Sequence, residues 1–378
     1  MSTPPDETPS TTDPLSPQVN AKPQESHDRP LTNALAWAEK MAAVKNQVEI
    51  ASRWAADNLG TSALKVQRVD IISHKDCLDG IAAAWVVKKF HDAVNASGLS
   101  AIRYNAHIHY TDYHLPLPEI PESSSIYMVD FCPNDVEELK PLLANCHGLT
   151  IIDHHPKTEG VIQSLKGWAE THDNDALYRL SSVFSREASG ALLAWWHLMG
   201  TKEAPVIVQA VSDRDLWQFK LPDTEPLCEA LMAYGMTVDD FDACVNEIPY
   251  AELLHRGAVL MQAKASLIDW MIDNTRCELE AHMRATHDIA TVKLLAVNGS
   301  KPLASKACEE LEKRYPGYDA YVCYWDIEGG THRRYSIRRS DGDVPRRIAQ
   351  YYAGDGHPSA AGFVTTQYAA LRVLPLTV

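Results

Sequence analysis

Four apolar runs in this sequence each end in carboxylates. Val69-Asp70-Ile71-Ile72-Ser73 leads into His74-Lys75-Asp76-Cys77-Leu78-Asp79-Gly80, and Ile126-Tyr127-Met128-Val129 leads into Asp130. Thr150-Ile151-Ile152 leads into Asp153-His154-His155, and the run over residues 206–212 leads into Asp213-Arg214-Asp215. If the runs are parallel strands, their ends lie side by side and form a pocket of Asp and His without an equal number of cations. Charge gathered in this way is expensive unless a cation neutralises it. Carboxylate oxygens mixed with imidazole nitrogens, and no thiolate, suit hard to borderline divalent ions, with Mn²⁺ the natural candidate. A carboxylate with ligands on both sides could bridge two such ions about 3.5 to 4 Å apart, where they would activate a hydroxide and clamp a phosphoryl group. Taken singly, Asp76 or Asp79 could cap a helix, Asp130 could cap the next one, and Asp153 could brace a turn. Caps do not account for two adjacent histidines at a third carboxylate-tipped run. Cys77 and Cys132 lie beside these residues and read as packing groups.

The elements that must position these residues alternate. Residues 66–73, 125–131 and 149–153 read as strands, and 80–94 and 134–146 as amphipathic helices, so the fold class is α/β with a mostly parallel sheet. Ligands of such sheets sit at the carboxyl ends of the strands. Residues 226–290 read as a helical connector with a long helical run over 250–282. A second α/β unit occupies 291–378: strand 291–297, helix 303–315, strands 318–326 and 332–338, and helix 344–352. Trp195-Trp196 reads as core, with base stacking the lesser alternative. Residues 1–30 hold seven of the 22 prolines and few large apolar side chains, the composition of a disordered tail. In 31–60, Trp37, Met41, Val44, Val48 and Ala51 form the stripe of an amphipathic helix.

Composition narrows the function classes. The 378 residues carry 35 Lys and Arg against 50 Asp and Glu, a net charge of −15, which argues against a broad grip on duplex DNA. No stretch approaches the roughly 20 apolar residues of a membrane span, and the first thirty residues lack a signal-peptide layout, so a cytoplasmic location is expected. The eight cysteines include no Cys-x-x-Cys pair, which leaves neither a zinc ribbon nor a dense disulfide framework.

Asp153-His154-His155 at a strand end, preceded by His74-x-Asp76-x-x-Asp79-Gly80 and Asp130 and followed by Asp213, resembles the DHH phosphoesterase superfamily. Ser336-Ile337-Arg338-Arg339-Ser340 and Gly354-Asp355-Gly356-His357 with Pro358 to Phe363 are similar to the substrate-binding domain that accompanies DHH in nanoRNases and related phosphodiesterases. The resemblance covers residues 65–370 in the family's order. It implies a DHH catalytic domain over 61–225, joined by the connector to a smaller substrate-binding domain. His74, Asp76 and Asp130 would hold one divalent ion, and Asp79, Asp130, His154 and Asp213 the other, with Asp215 an alternative to Asp213. Asp153 would orient His154, and His155 would face the scissile phosphate. Arg338, Ser340, Gly354, Gly356 and His357 would bind substrate. The implied activity is a Mn²⁺-dependent phosphodiesterase or exonuclease on short single-stranded RNA, linear dinucleotides or cyclic nucleotides. Its alternatives are a nucleotide bisphosphate phosphatase, a pyrophosphatase or a silent nucleotide-binding scaffold; a homodimer is left open. Two positions depart from the family pattern: Asp76 and Asp79 are separated by both Cys77 and Leu78, and Asp355 stands inside the glycine loop.

Overall fold

The computed structural model describes residues 65–366 except 99, 101, 114, 173, 201–202 and 285–288, together with residues 371–374. The tail and helix expected over 1–60 lie outside the described residues. Strands β1 (Lys65–His74), β2 (Ile102–Thr111), β3 (Ser125–Val129), β4 (Gly148–Asp153) and β5 (Leu180–Phe184) form a wholly parallel sheet in the order β2-β1-β3-β4-β5. Its register sets the site. Ser73 lies opposite Val129 and Val129 opposite Ile152, so the next residues of the three chains, His74, Asp130 and Asp153, share one level.

Helix α1 (Leu78–Ser97) follows β1, and its segment from Leu78 to Val87 is buried on every side. A helix that is apolar all round belongs in the middle of a domain. There it packs between the sheet and a group of helices that includes α5 (Gly190–Met199), α6 (Val206–Asp215) and α7 (Thr224–Tyr234). Trp85 is 1% exposed, stands 5.4 Å from the Phe241 ring, and donates its indole N–H to Asp242 at 2.7 Å. The other face of the sheet is covered by α2 (Leu139–Asn145), α3 (Pro156–His172) and α4 (Asn174–Arg179), through Leu139, Leu143, Val161, Ile162, Leu165, Ala169 and Ala176.

The second unit is a seven-stranded mixed sheet, in the order β10 (Asp355–His357), β11 (Ala360–Thr366), β9 (His332–Arg338), β8 (Ala320–Ile327), β7 (Ile289–Asn298), β6 (Cys277–Arg284) and β12 (Arg372–Leu374). The pair β7 and β8 is parallel and the other pairs are antiparallel. Between the sheets run α8 (Val238–Asn246) and the 26-residue α9 (Tyr250–Thr275); α10 (Ala304–Arg314) and α11 (Val344–Tyr351) pack on the second sheet. Among the described residues no helix is long and apolar enough to cross a membrane.

Two segments differ from the sequence pattern. The run over 206–212 is not a fourth strand but the body of α6, because a short apolar run has no period that separates a buried strand from a buried helix. Its ten residues still deliver Asp215 to the strand ends from above. The helical run stops at Thr275, and Cys277–Arg284 is a strand whose alternate residues Leu279, Ala281 and Met283 are buried, a period of two. The sheet also contains β2 and β5, which the apolar runs do not announce. β2 is an edge strand of intermediate burial, so its apolar residues are interleaved with His107 and His109.

Removing the Trp85 side chain from the centre of α1 leaves a cavity and takes one hydrogen bond from Asp242, which keeps Lys89 and Asn246. Trp85→Ala is expected to cost about 3 to 5 kcal/mol in urea unfolding; a loss under about 1 kcal/mol would show that this packing does not organise the domain.

Candidate metal centre

His74, Asp130 and Asp153 come from the ends of β1, β3 and β4, and Asp79 comes from the first turn of α1. Asp130 follows β3 in a left-handed conformation, φ 53°, which Asp tolerates better than most residues, and its N–H is held by the Ile152 carbonyl at 3.0 Å. Two glycines leave room around it. A Cβ on Gly80 would lie 2.8 Å from the His74 carbonyl and 3.2 Å from Asp130 Oδ2. A Cβ on Gly190 would lie 2.9 Å from both Asp130 Cβ and Asp79 Oδ2.

The donors converge closely. His154 Nε2 is 3.3 Å from Asp130 Oδ1 and 3.3 Å from Asp215 Oδ2, and His74 Nδ1 is 3.9 Å from Asp130 Oδ2. Three groups of donors have geometry that could hold a metal ion: His74, Cys77 and Asp130; Asp79, His154 and Asp215; and Asp130, Asp153, His154 and His155. The decisive detail is what these atoms lack. Both oxygens of Asp130, Asp79 Oδ2, Asp215 Oδ2, His154 Nε2 and His74 Nδ1 are buried without a hydrogen-bond partner among the described residues. Buried polar atoms are nearly always satisfied, so such a concentration at one point is a donor set that could hold a cation.

The remaining atoms of these residues are tied down, which aims the open ones. Asp79 Oδ1 accepts from Ser189 Oγ at 2.5 Å and from the Ala191 N–H at 3.1 Å, leaving Oδ2 for the site. Asp153 has no open valence of this kind. Its Oδ1 accepts from the N–H groups of His154 and His155 and pairs with His155 Nδ1 at 2.7 Å, while Oδ2 accepts from Thr158 Oγ1. Asp153 therefore orients the ring of His155, where the resemblance implies His154.

Electrostatics carry the same message. Burial, then Asp79 and Asp215, push the Asp130 carboxyl well above its ordinary value. Burial and Asp79 push Asp215 to about 6. His74 is lowered by burial and then by His155, favouring the neutral imidazole a ligand needs. Burial is the largest single influence on His155 and lowers it, but the bond to and charge of Asp153 together with the charge of Asp130 raise it on balance.

The structure separates the expected residues into those it gathers and those it does not. His74, Asp79, Asp130, His154 and His155 converge, with Asp153 behind them. Asp76 is exposed in a left-handed turn and belongs to none of the donor groups. Asp213 is buried away from the cluster: its carboxylate accepts from the Lys220 and Leu221 N–H groups at 2.9 and 3.0 Å and from Thr224 Oγ1 at 2.5 Å. Of the two carboxylates at the end of α6, Asp215 is the one at the site. Cys77, read from sequence as packing, contributes its sulfur to the His74 group. Tyr113, which no motif marks, lies edge-on to His74 at 5.5 Å and to His155 at 6.4 Å.

In the second unit, Arg338 donates to the Ile337 and Ala361 carbonyls and to Ser305 Oγ, and among the described residues no carboxylate lies within ion-pair distance of it. Ser340 is engaged elsewhere, its N–H and hydroxyl both donating to Glu312. Gly354 packs against Gly362 and Phe363, Gly356 packs against Ala361, and His357 is exposed on β10. Asp355 is lowered by the Gly356 N–H, by Arg346 and by Lys157, a residue only two positions past His155.

Comparison with known proteins gives distant likenesses. No family model matches the chain. Uncharacterized protein R106 of Acanthamoeba polyphaga mimivirus is 20% identical over 308 residues, covering 80% of this chain and 68% of that protein. Among solved structures, the pGpG-specific phosphodiesterase PggH from Vibrio cholerae is 14% identical with a TM-score of 0.42, covering 80% of this chain and 94% of that one. A Methanococcus jannaschii protein assigned to the family II inorganic pyrophosphatases is 13% identical with a TM-score of 0.21, covering 79% and 94%. The parallel sheet with its carboxylate-tipped strands, followed by a smaller α/β unit, is the architecture expected from the sequence.

Asp213 and Asp215 separate by experiment. Asp215→Asn should weaken Mn²⁺ binding at least tenfold, whereas Asp213→Asn should keep metal affinity and lose about 1 to 3 kcal/mol of stability; equal metal loss in both variants would contradict this placement. The pH dependence has a fixed sign. The folded-state value of Asp215 stands above its unfolded one, so the stability this carboxyl provides to the metal-free protein is lost as pH rises from the ordinary carboxylate range through about 6. The stability difference between the wild type and Asp215→Asn should therefore shift against the wild type over that window in EDTA, and reverse in saturating Mn²⁺; no change across the window would refute the assignment.

Proposed function

We propose that this chain is a DHH-type phosphoesterase that binds two divalent ions, best satisfied by Mn²⁺, and hydrolyses phosphodiester bonds in short nucleotides such as linear dinucleotides or short single-stranded RNA. The observation that carries this reading is Asp130, buried at the convergence of three strands with both carboxylate oxygens unpartnered. His74 and Asp130, with Cys77 beside them, would hold one ion; Asp79, His154 and Asp215 would hold the other, with Asp130 shared. Bound there, the ions would supply Lewis acidity to activate water and neutralise phosphoryl charge.

The protein's own groups do the rest. His155 is held through Nδ1 by Asp153 and remains 36% exposed, so its Nε2 is free to donate to a phosphoryl or leaving-group oxygen. Arg338, without a carboxylate partner, is suited to a substrate phosphate, and His357 and the backbone of the glycine loop border the same region. Lys157 and Asp355 link that loop electrostatically to the turn bearing His155, consistent with substrate held between the domains. A net charge of −15 repels long polyanions outside such a cleft and tolerates short ones.

Turnover of a 5′-phosphorylated RNA dinucleotide tests the reading. Mononucleotides should appear with Mn²⁺, disappear with EDTA, and fall below about 1% of the wild-type rate in Asp130→Ala. Absence of turnover with metal bound would move the substrate to bisphosphates or pyrophosphate, and absence of metal binding would leave a nucleotide-binding scaffold.

A further inference from the structure

The loop after α6 carries an arrangement the metal centre does not require. Trp217 is 63% exposed two residues beyond Asp215, so the chain itself keeps their Cα atoms within about 7 Å. Its backbone is left-handed, φ 56°, and so is that of Phe219, φ 49°. Bulky side chains rarely adopt this conformation, and it persists where the surroundings enforce it. Asp213 provides that enforcement with five hydrogen bonds: its carbonyl accepts the Gln218 and Phe219 N–H groups, and its carboxylate accepts the Lys220 and Leu221 N–H groups and the Thr224 hydroxyl. Phe219 braces the indole from the side, edge to face at 4.9 Å.

We propose that Trp217 is a specificity-determining residue: it stacks on a nucleobase of the substrate whose phosphate lies at the metal centre, and Asp213 is the residue that positions it. The inference rests on the phosphodiesterase reading above. A large apolar ring left 63% exposed on a strained, well-fastened turn is not explained by its edge contact with Phe219. The chain places it two residues from Asp215, at the centre proposed above to take a nucleotide phosphate, and an indole face is the surface to which any base adheres. Trp270, equally exposed at 60%, lies on the outer face of α9 with no such neighbour.

The test compares two substrates in the full chain: a 5′-phosphorylated adenine dinucleotide and the same dimer with abasic riboses. Wild type should prefer the adenine dimer in kcat/KM. In Trp217→Ala that preference should fall about tenfold or more, mainly through KM, and Trp217→Phe should restore most of it. Competitive binding of AMP against ribose 5-phosphate in Mn²⁺ provides a second readout, and its ratio should fall in parallel. If Trp217→Ala turns over both dimers with an unchanged ratio, the stacking role is refuted while the phosphodiesterase reading stands. If wild type cleaves neither dimer, that reading fails, and an AMP preference unaffected by Trp217→Ala then refutes the stacking role as well.

Discussion

Everything at the centre of this protein follows from the cost of bringing Asp79, Asp130 and Asp215 together out of water. Burial first, then Asp79 and Asp215, disfavours the ionised form of Asp130, and burial and Asp79 do the same at Asp215. A fold that merely needed stability would replace such a cluster with apolar residues. Instead the surrounding structure is arranged to keep it. Gly80 and Gly190 leave the space open, Ser189 and Ala191 fix one oxygen of Asp79, and Asp153 fixes the ring of His155. The parallel sheet is the device that makes convergence possible, because its register sets three strand ends level while helices on both faces bury its flanks.

The sequence reveals this centre where chemistry and strand pattern coincide. Runs such as Thr150-Ile151-Ile152 before Asp153-His154-His155 show both the strand and its functional end, since a buried parallel strand is uniformly apolar and stops abruptly. It is less informative where two structures share one pattern. The stretch over 206–212 is apolar enough for either strand or helix, and the helix changes which carboxylate reaches the site. Asp213, a full residue pair earlier on α6, points its oxygens into the following turn, and Asp215 takes its place. Strand β6 is hidden in another way: Glu278, Glu280 and His282 interleave with Leu279, Ala281 and Met283, a pattern of period two at the end of a long helix. Cys77 lies beside the candidate ligands in sequence but reads there as packing, and Tyr113 reaches the centre through folding alone.

The second domain contributes charge where the first has too little. Arg338 sits on β9 with carbonyl and hydroxyl partners and, among the described residues, no acid, while neighbouring Arg339 is spent on Asp341 and Glu312. Asp355 adds a negative charge next to the glycine loop, and its contact with Arg346 at 3.7 Å and the field of Lys157 offset part of it.

The central claim is that the unpartnered atoms around Asp130 are the ligands of a pair of divalent ions. Calorimetric titration of the EDTA-stripped protein with Mn²⁺, paired with its unfolding curve, addresses this directly. Two equivalents per chain should bind, and at a hundredfold excess over Kd each should raise stability by about 2.7 kcal/mol. An absence of binding heat together with an unmoved unfolding transition would mean that the acidic cluster is tolerated without a cation, and the account built on it would fall.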